Sequence, residues 1–295
     1  MKLKFWGVRG SIPAPGDRTM RYGGNTTCIE IRTDCGELII LDGGTGIFPL
    51  AQSLLRELPV TPHIFTTHSH WDHIQGLPFF IPTFIPGNRI RLYGAFDPIT
   101  REGPERIINV QLQYSYFPVR EAEMKSPFAY GTVMPNEPVA VGAATVTPLL
   151  LNHPVVNLGY RIDSNGKSIF FTGDHEPHFN IYETDDDGYA EYQGLIEEQR
   201  QAIVQAIAGV DIIVADSAYT LEEYPAKRGW GHGTFDSSIQ LARDAGAKVL
   251  YCTHHEPTRG DDDLERVFAE AVSRYAGDIG GLDIRLAAEG GEIEI

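Results

Sequence analysis

The chain of 295 residues is short of cysteine, of cationic residues and of long apolar runs, and each shortage closes off a class of protein. Cys28, Cys35 and Cys252 are an odd number in a long chain with no CxxC pair. They predict reduced thiols in a cytoplasmic protein and are assigned no function. No apolar stretch approaches the ~20 residues needed to span a bilayer, so no membrane association is expected. Met1 to Gly7 lacks the apolar core of a signal peptide and reads as a first strand. Lys and Arg number 24 against 40 Asp and Glu, a net charge of −16. A protein that grips a long phosphate backbone normally carries a basic footprint, because neutralising phosphates drives that affinity. Long nucleic acid is therefore not the expected partner, and a small anion held at a local site fits better. The acidic runs Glu183 to Asp187, Glu197-Glu198 and Asp261 to Asp263 read as solvated faces. No Pro/Gly/Ser-rich linker, low-complexity tract or internal repeat divides the chain, which predicts one domain over residues 1–295.

What the chain does have is Thr67-His68-Ser69-His70-Trp71-Asp72-His73, directly after the apolar run at His63 to Thr66. His68 and His70, two apart, point the same way if the chain is extended as it leaves a strand, and can share one ion. Asp72 and His73 fall where the chain turns and can face a second. Imidazole with carboxylate suits zinc, and also manganese or iron.

Alternating and continuous apolar runs predict strands at Leu3 to Trp6, Thr27 to Arg32, Glu37 to Leu41, His63 to Thr66, Arg89 to Tyr93, Ala144 to Leu150, Leu158 to Asp163, Ser168 to Thr172, Asp211 to Ala215, Lys248 to Cys252 and Asp283 to Leu286. Helices are predicted at Ile47 to Glu57, Leu195 to Ala208, Phe235 to Ala245 and Leu264 to Tyr275. Two helix-covered sheets are compatible with this order. His153, Asp174 and His254 each stand just after one of these strands, as the His68 cluster does. Asp174 is suited to bridge, since a carboxylate can give one oxygen to each of two ions ~3.5–4 Å apart.

These residues resemble the metallo-β-lactamase superfamily: HxHxDH reads as His68, His70, Asp72 and His73, and the later His, Asp and His as His153, Asp174 and His254. The resemblance covers nearly the whole chain, from Gly7-Val8-Arg9-Gly10-Ser11 and Gly23-Gly24-Asn25-Thr26-Thr27 to the final strands. It implies an α/β fold, a four-layer αββα sandwich, with two divalent metal ions at one edge. It places His68, His70 and His153 on one metal and Asp72, His73 and His254 on the other, with Asp174 bridging. Asp42, in Leu41-Asp42-Gly43-Gly44, matches an acidic motif and is expected to orient a ligand histidine. Between the adjacent His254 and His255, Thr-His after the strand favours His254, leaving His255 as a supporting or substrate contact. His175 and His178 read as polar loop residues that could touch substrate, and His63 reads as structural.

Asp216-Ser217-Ala218-Tyr219 and Gly231-His232-Gly233-Thr234 look like the phosphodiesterase branch of that superfamily, which holds ribonuclease Z, phosphonate-pathway cyclic phosphodiesterases and 3′,5′-cyclic nucleotide phosphodiesterases. The likeness implies catalytic roles for His232, Asp216 and Asp72. A metal-activated hydroxide would attack phosphorus while His232, oriented by Asp216, protonates the leaving oxygen. Aspartate at 216 replaces the glutamate usual in ribonuclease Z, and Gly233 stands where serine is common. The expected substrate is a small nucleotide phosphodiester such as a 3′,5′-cyclic nucleotide, the alternatives being tRNA 3′-end cleavage and lactone or ester hydrolysis. A homodimer is an expectation of the family alone. Phe79, Phe80, Tyr114, Tyr116, Tyr219 and Trp230 are candidate stacking surfaces, and Arg9, Ser11, Asn25 and Thr26 are candidates to contact phosphate or simply to order the entrance.

Overall fold

A computed structural model describes residues 1–295. The first sheet holds β1 (Lys2–Gly7), β2 (Cys28–Arg32), β3 (Leu38–Leu41), β4 (His63–Phe65), β5 (Ile90–Ala95) and β6 (Phe128–Val133), with β14 (Glu292–Glu294) beside β1. The second holds β7 (Val139–Val141), β8 (Ala144–Leu151), β9 (Asn157–Ser164), β10 (Lys167–Phe171), β11 (Ile212–Asp216), β12 (Val249–Thr253) and β13 (Asp283–Leu286), adjacent in sequence order. The helices are α1 (Ile47–Leu54), α2 (Trp71–Ile74), α3 (Glu105–Gln111), α4 (Tyr189–Ala206), α5 (Phe235–Asp244) and α6 (Asp261–Arg274).

Alternation along the strands divides the apolar residues into three cores. Phe5, Ile31, Leu41 and Phe65 of the first sheet meet Val146, Tyr160, Phe171 and Val214 of the second between the sheets. On its other face the first sheet packs Ile40, Ile64 and Leu92 against Leu50 and Leu54 of α1 and Ile108 of α3. The second packs Phe170, Ile213 and Leu250 against Ile239 of α5 and Leu264 of α6. The result is the four-layer αββα sandwich. No helix is long and apolar enough to cross a membrane.

Every predicted strand is present within a few residues of its expected ends, and β6, β7, β14, α2 and α3 are additions. β7 and β14 have three residues each at sheet edges, too short for a period to show. α1 stops at Leu54, three residues before the predicted end. One acidic run is only in part a solvated face. Asp261 opens α6 but is buried, its carboxylate 3.6 Å from the Arg9 guanidinium.

What positions the site is strand direction. β3, β4 and β5 run parallel, as do β10, β11 and β12. β8 is antiparallel to β9 and β9 to β10, so β8 runs with β10. The segments leaving β3, β4, β8, β10, β11 and β12 therefore gather beyond the carboxyl ends of their strands, where open α/β sheets place ligands.

Candidate metal centre

β4 delivers the chain to Thr66 and Thr67, which are pinned across the sandwich: Tyr160 donates its hydroxyl to Thr66 O at 2.7 Å, and Leu158 N–H donates to Thr67 O at 2.9 Å. His70 is still extended, and α2 begins at Trp71 with the His73 N–H donating to His70 O at 3.0 Å. That sharp turn sends His68 and His70 one way and Asp72 and His73 another.

Two groups of side chains result. His68, His70, His153 and Asp174 form one, and Asp72, His73, His254 and Asp174 the other, each with its donor atoms within 4.8 Å of one another. Asp174 divides its oxygens between them. Its Oδ2 lies 3.5 Å from His68 Nε2 and its Oδ1 lies 3.1 Å from His73 Nε2 and 3.2 Å from His254 Nε2. Asp72 Oδ2 lies 3.4 Å from His73 Nε2 and 3.3 Å from His254 Nε2, and accepts from the Ser11 N–H at 2.7 Å.

Supporting contacts turn the ring nitrogens. His73 Nδ1 donates to Asp42 Oδ2 at 2.8 Å, because a carboxylate can only accept. Thr67 Oγ1 donates to Asp42 at 3.0 Å, so it accepts from His68 Nδ1 at 3.0 Å. His153 Nδ1 donates to Gly231 O at 2.9 Å. In all three rings it is Nε2 that faces the cluster, as a lone pair whenever the ring is neutral. Backbone approach is equally tight: a Cβ on Gly10 would sit 2.2 Å from His254 Cε1, and one on Gly231, at φ +91°, would sit 2.3 Å from His153 Nδ1.

This donor set fits divalent metal ions. His68 Nε2, His73 Nε2 and Asp174 Oδ1 are buried with no hydrogen-bond partner, which is rare unless something else occupies the space. His153 Nε2 and His70 Nδ1 face each other at 3.0 Å, a contact that needs a cation or a proton between them. Burial lowers the pKa of His68, His70 and His153, which keeps them neutral as ligation requires. Burial opposes charge on His73 and His254 too, but the carboxylates of Asp174 and its neighbours outweigh it and raise His73 well above the usual range and His254 to about 9. The field there calls for positive charge.

His232 stands at the rim. Its Nδ1 donates to Asp216 Oδ2 at 3.0 Å and lies 3.7 Å from Asp174 Oδ2, and its ring stacks on His254 at 4.6 Å. Burial depresses its pKa, but Asp216 and Asp174 more than compensate and the net shift is upward. Asp216 also accepts from the His175 N–H at 3.1 Å. The loop is fixed at its far end by the cap of α5, where Thr234 Oγ1 accepts from the Ser237 N–H at 3.0 Å.

Several sequence expectations are corrected. His255 is wholly buried and donates Nε2 to Ala287 O at 2.8 Å, which removes the substrate contact and leaves the supporting role. Arg9 is not a phosphate contact, since its buried guanidinium donates to Gly23 O at 2.8 Å and Arg259 O at 2.9 Å and clamps two loops together. Asn25 donates to Glu289 at 3.0 Å, and Thr26 is buried against Thr45, so of that group only Ser11 touches the centre, through its backbone. Phe80 belongs to the core, and His63 stacks on Tyr93 as a structural residue should. Tyr114 and Tyr116 are exposed on the turn after α3, and Phe79 meets Phe117 edge-on. Tyr219 touches the His232 ring edge-on, and exposed Trp230 has the Lys227 ammonium over its face at 4.1 Å. His175 and His178 line a cavity of about 100 Å³ behind Asp216 and do not join either cluster.

Sequence reading missed Thr67 and Glu176. The Glu176 carboxylate is buried and accepts from Tyr224 Oη, Gly229 N–H and Gly231 N–H, each at 2.8 Å, and so holds the loop that carries His232. Its one sequence signal is its place two residues after Asp174.

Residues 38–255 match the Beta-lactamase superfamily domain. An uncharacterized protein of Mycobacterium tuberculosis is 25% identical over 286 residues, 95% of this chain and 88% of that protein. A ribonuclease Z of Haloarcula marismortui is 24% identical over 310 residues, 95% and 93% of the two chains. Among solved structures, the metallo-beta-lactamase fold protein YhfI from Bacillus subtilis aligns with a TM-score of 0.69 at 18% identity over 99% of each chain.

Proposed function

Because the chain belongs to the beta-lactamase superfamily, we propose that it is a metal-dependent phosphodiesterase whose substrate is a small nucleotide, such as a 3′,5′-cyclic nucleotide. The observation that carries this reading is the His232–Asp216 pair beside the two donor groups. An alkoxide leaving a phosphodiester needs a proton delivered opposite the attacking water, and the His232–Asp216 pair stands beside the donors to give one.

The donor set takes two ions, with zinc first and manganese or iron(II) also compatible. Asp42, Asp72, Asp174 and Asp216 are four buried carboxylates whose ion-pair partners are all histidines, which matches the charge of two divalent cations. Ions held there would supply Lewis acidity, polarising a phosphoryl oxygen and lowering the pKa of water. The chain does the rest. Asp174 gives one oxygen to each donor group, Ser11 N–H fixes Asp72, and Asp42 fixes His73. Asp216 accepts from His232 Nδ1 and favours the protonated ring, so that Nε2 can donate to the leaving oxygen as the bond from water oxygen to phosphorus forms and the ester P–O bond breaks.

A second reading, cleavage at an RNA 3′ end, is favoured by the similarity to ribonuclease Z. The net charge of −16 stands against it. The deciding experiment offers bis(p-nitrophenyl) phosphate, 3′,5′-cyclic nucleotides, a lactone and precursor tRNA to the protein with zinc and with manganese. Turnover of the first two is expected. Hydrolysis of the lactone alone would overturn the phosphodiesterase reading, and tRNA cleavage with binding that weakens steeply in salt would replace the small substrate with RNA.

A further inference from the structure

Beside the His68, His70 and His153 group lies a cavity of about 400 Å³ that shares His68 with that group and is otherwise lined by residues the proposed reaction does not use. It is within the size range of small-molecule sites, about 300–1,000 Å³. Three segments build it. Trp71 follows His70, Val155 and Val156 follow His153, and Ile107, Val110 and Gln111 come from α3. The two loops that carry donors of one group are thus also two walls of the cavity, and a ligand whose phosphate sits at the donors can extend into it.

The lining says what kind of ligand. The cation on the wall, Arg106, is already paired with Glu102, and Asp97 is engaged by the Ile99 N–H and the Thr100 hydroxyl at 2.8 Å each. The cavity offers no free charge for a phosphate and suits a neutral, apolar group. Gln111 adds one polar requirement. It is 4% exposed, and its Nε2 donates to Ile74 O at 3.1 Å. A carbonyl only accepts, so that bond fixes which end of the amide is which. Gln111 Oε1 is then left buried without a partner, the kind of group that native proteins nearly always satisfy. Trp71, 61% exposed, supplies a flat apolar face.

We infer that this cavity is the subsite for the organic part of the substrate, and that it takes a flat heterocycle bearing an amino group, an amino-substituted nucleobase whose N–H donates to Gln111 Oε1. That the heterocycle belongs to a nucleotide rests on the phosphodiesterase reading above; the cavity and its unpaired acceptor do not. Specificity then lies on α3 and the segment after His153, and not with the aromatic residues near His232.

Calorimetric titration of the zinc-loaded protein with adenosine and with purine riboside, which lacks the amino group, tests this directly. Adenosine should bind saturably, and purine riboside about threefold to tenfold more weakly, the worth of one hydrogen bond. Val155→Trp, which fills the cavity from its more exposed wall, should weaken adenosine at least about tenfold, a side chain's worth of overpacking. Gln111→Leu should bind the two nucleosides equally. If either variant melts below the titration temperature, the comparison of the two nucleosides on the unaltered protein decides alone. Equal binding of both there, or no binding of adenosine by protein that still hydrolyses bis(p-nitrophenyl) phosphate, would overturn the subsite. Retained adenosine binding with no phosphodiester hydrolysis would instead remove the proposed function and leave the subsite standing.

Discussion

The two sheets supply the centre in opposite ways. The first delivers four candidate donors from one strand exit, His68 to His73, within a single turn of chain after β4. The second delivers its residues one at a time: the donors His153 after β8, Asp174 after β10 and His254 after β12, and Asp216, the partner of His232, at the end of β11. In the first case local covalent geometry does the gathering. In the second the register of parallel strands does it, Asp216 standing opposite Thr253, the residue before His254. A local cluster tolerates drift of the sheet as a whole, whereas the distributed set depends on every inter-strand contact, and the glycine and carboxylate supports around it follow from that dependence.

The sharpest way to break this comparison is to remove the residue that both groups share. Asp174→Ala should lose both ions, to below one per chain by elemental analysis, and at least about 10³-fold in kcat/KM, the upper range for one electrostatic group. His68→Ala, on the first sheet, should lose one ion only. Equal metal content in the two variants would mean that Asp174 does not join the groups.

Next in size is His232→Ala. It adjoins both donor groups without belonging to either, so metal content should hold while kcat/KM falls about 10²–10⁴-fold for a cyclic nucleotide, the range for general acid catalysis. A p-nitrophenyl ester, whose leaving group needs no proton, should fall far less. Parallel losses on both substrates would remove the general-acid role.

How much of this was readable beforehand follows the same division. The His68 to His73 spacing and the recurrence of His153, Asp174 and His254 after apolar runs were legible because strand exits are local signals. The burial of Asp261 and its pairing with Arg9 were not legible because the two residues lie 252 apart in sequence, and nothing local distinguishes a buried acidic residue in an acidic run. Glu176 was missed for the same reason, since its partners Tyr224, Gly229 and Gly231 lie on a loop some fifty residues on. α3, which walls the large cavity, is only seven residues long and gave too few turns for a period.

Smaller effects sharpen the contrast between the supports. Asp42→Asn, which replaces the acceptor for His73 Nδ1, should weaken metal binding about ten- to hundredfold in a competition titration with a chelator, as for other ligand-orienting partners. Gly231→Ala puts a Cβ against His153 at a positive φ and should lower stability by about 1–3 kcal/mol in denaturant unfolding. Asp42→Asn should lower stability too, by about 1–3 kcal/mol, because the buried carboxylate accepts from the Thr67 N–H and hydroxyl as well as from His73, and the amide leaves one of these donors unpaired.

The central claim is a two-ion centre that hydrolyses a phosphodiester, and one measurement addresses it most directly: ions bound per chain, followed through stepwise removal and readdition of zinc while bis(p-nitrophenyl) phosphate hydrolysis is recorded on the same samples. The account predicts two ions per chain and a rate that falls to background as they are withdrawn and returns as they are restored. A protein that binds fewer than one ion after zinc loading, or that hydrolyses the diester equally well without metal, would contradict it.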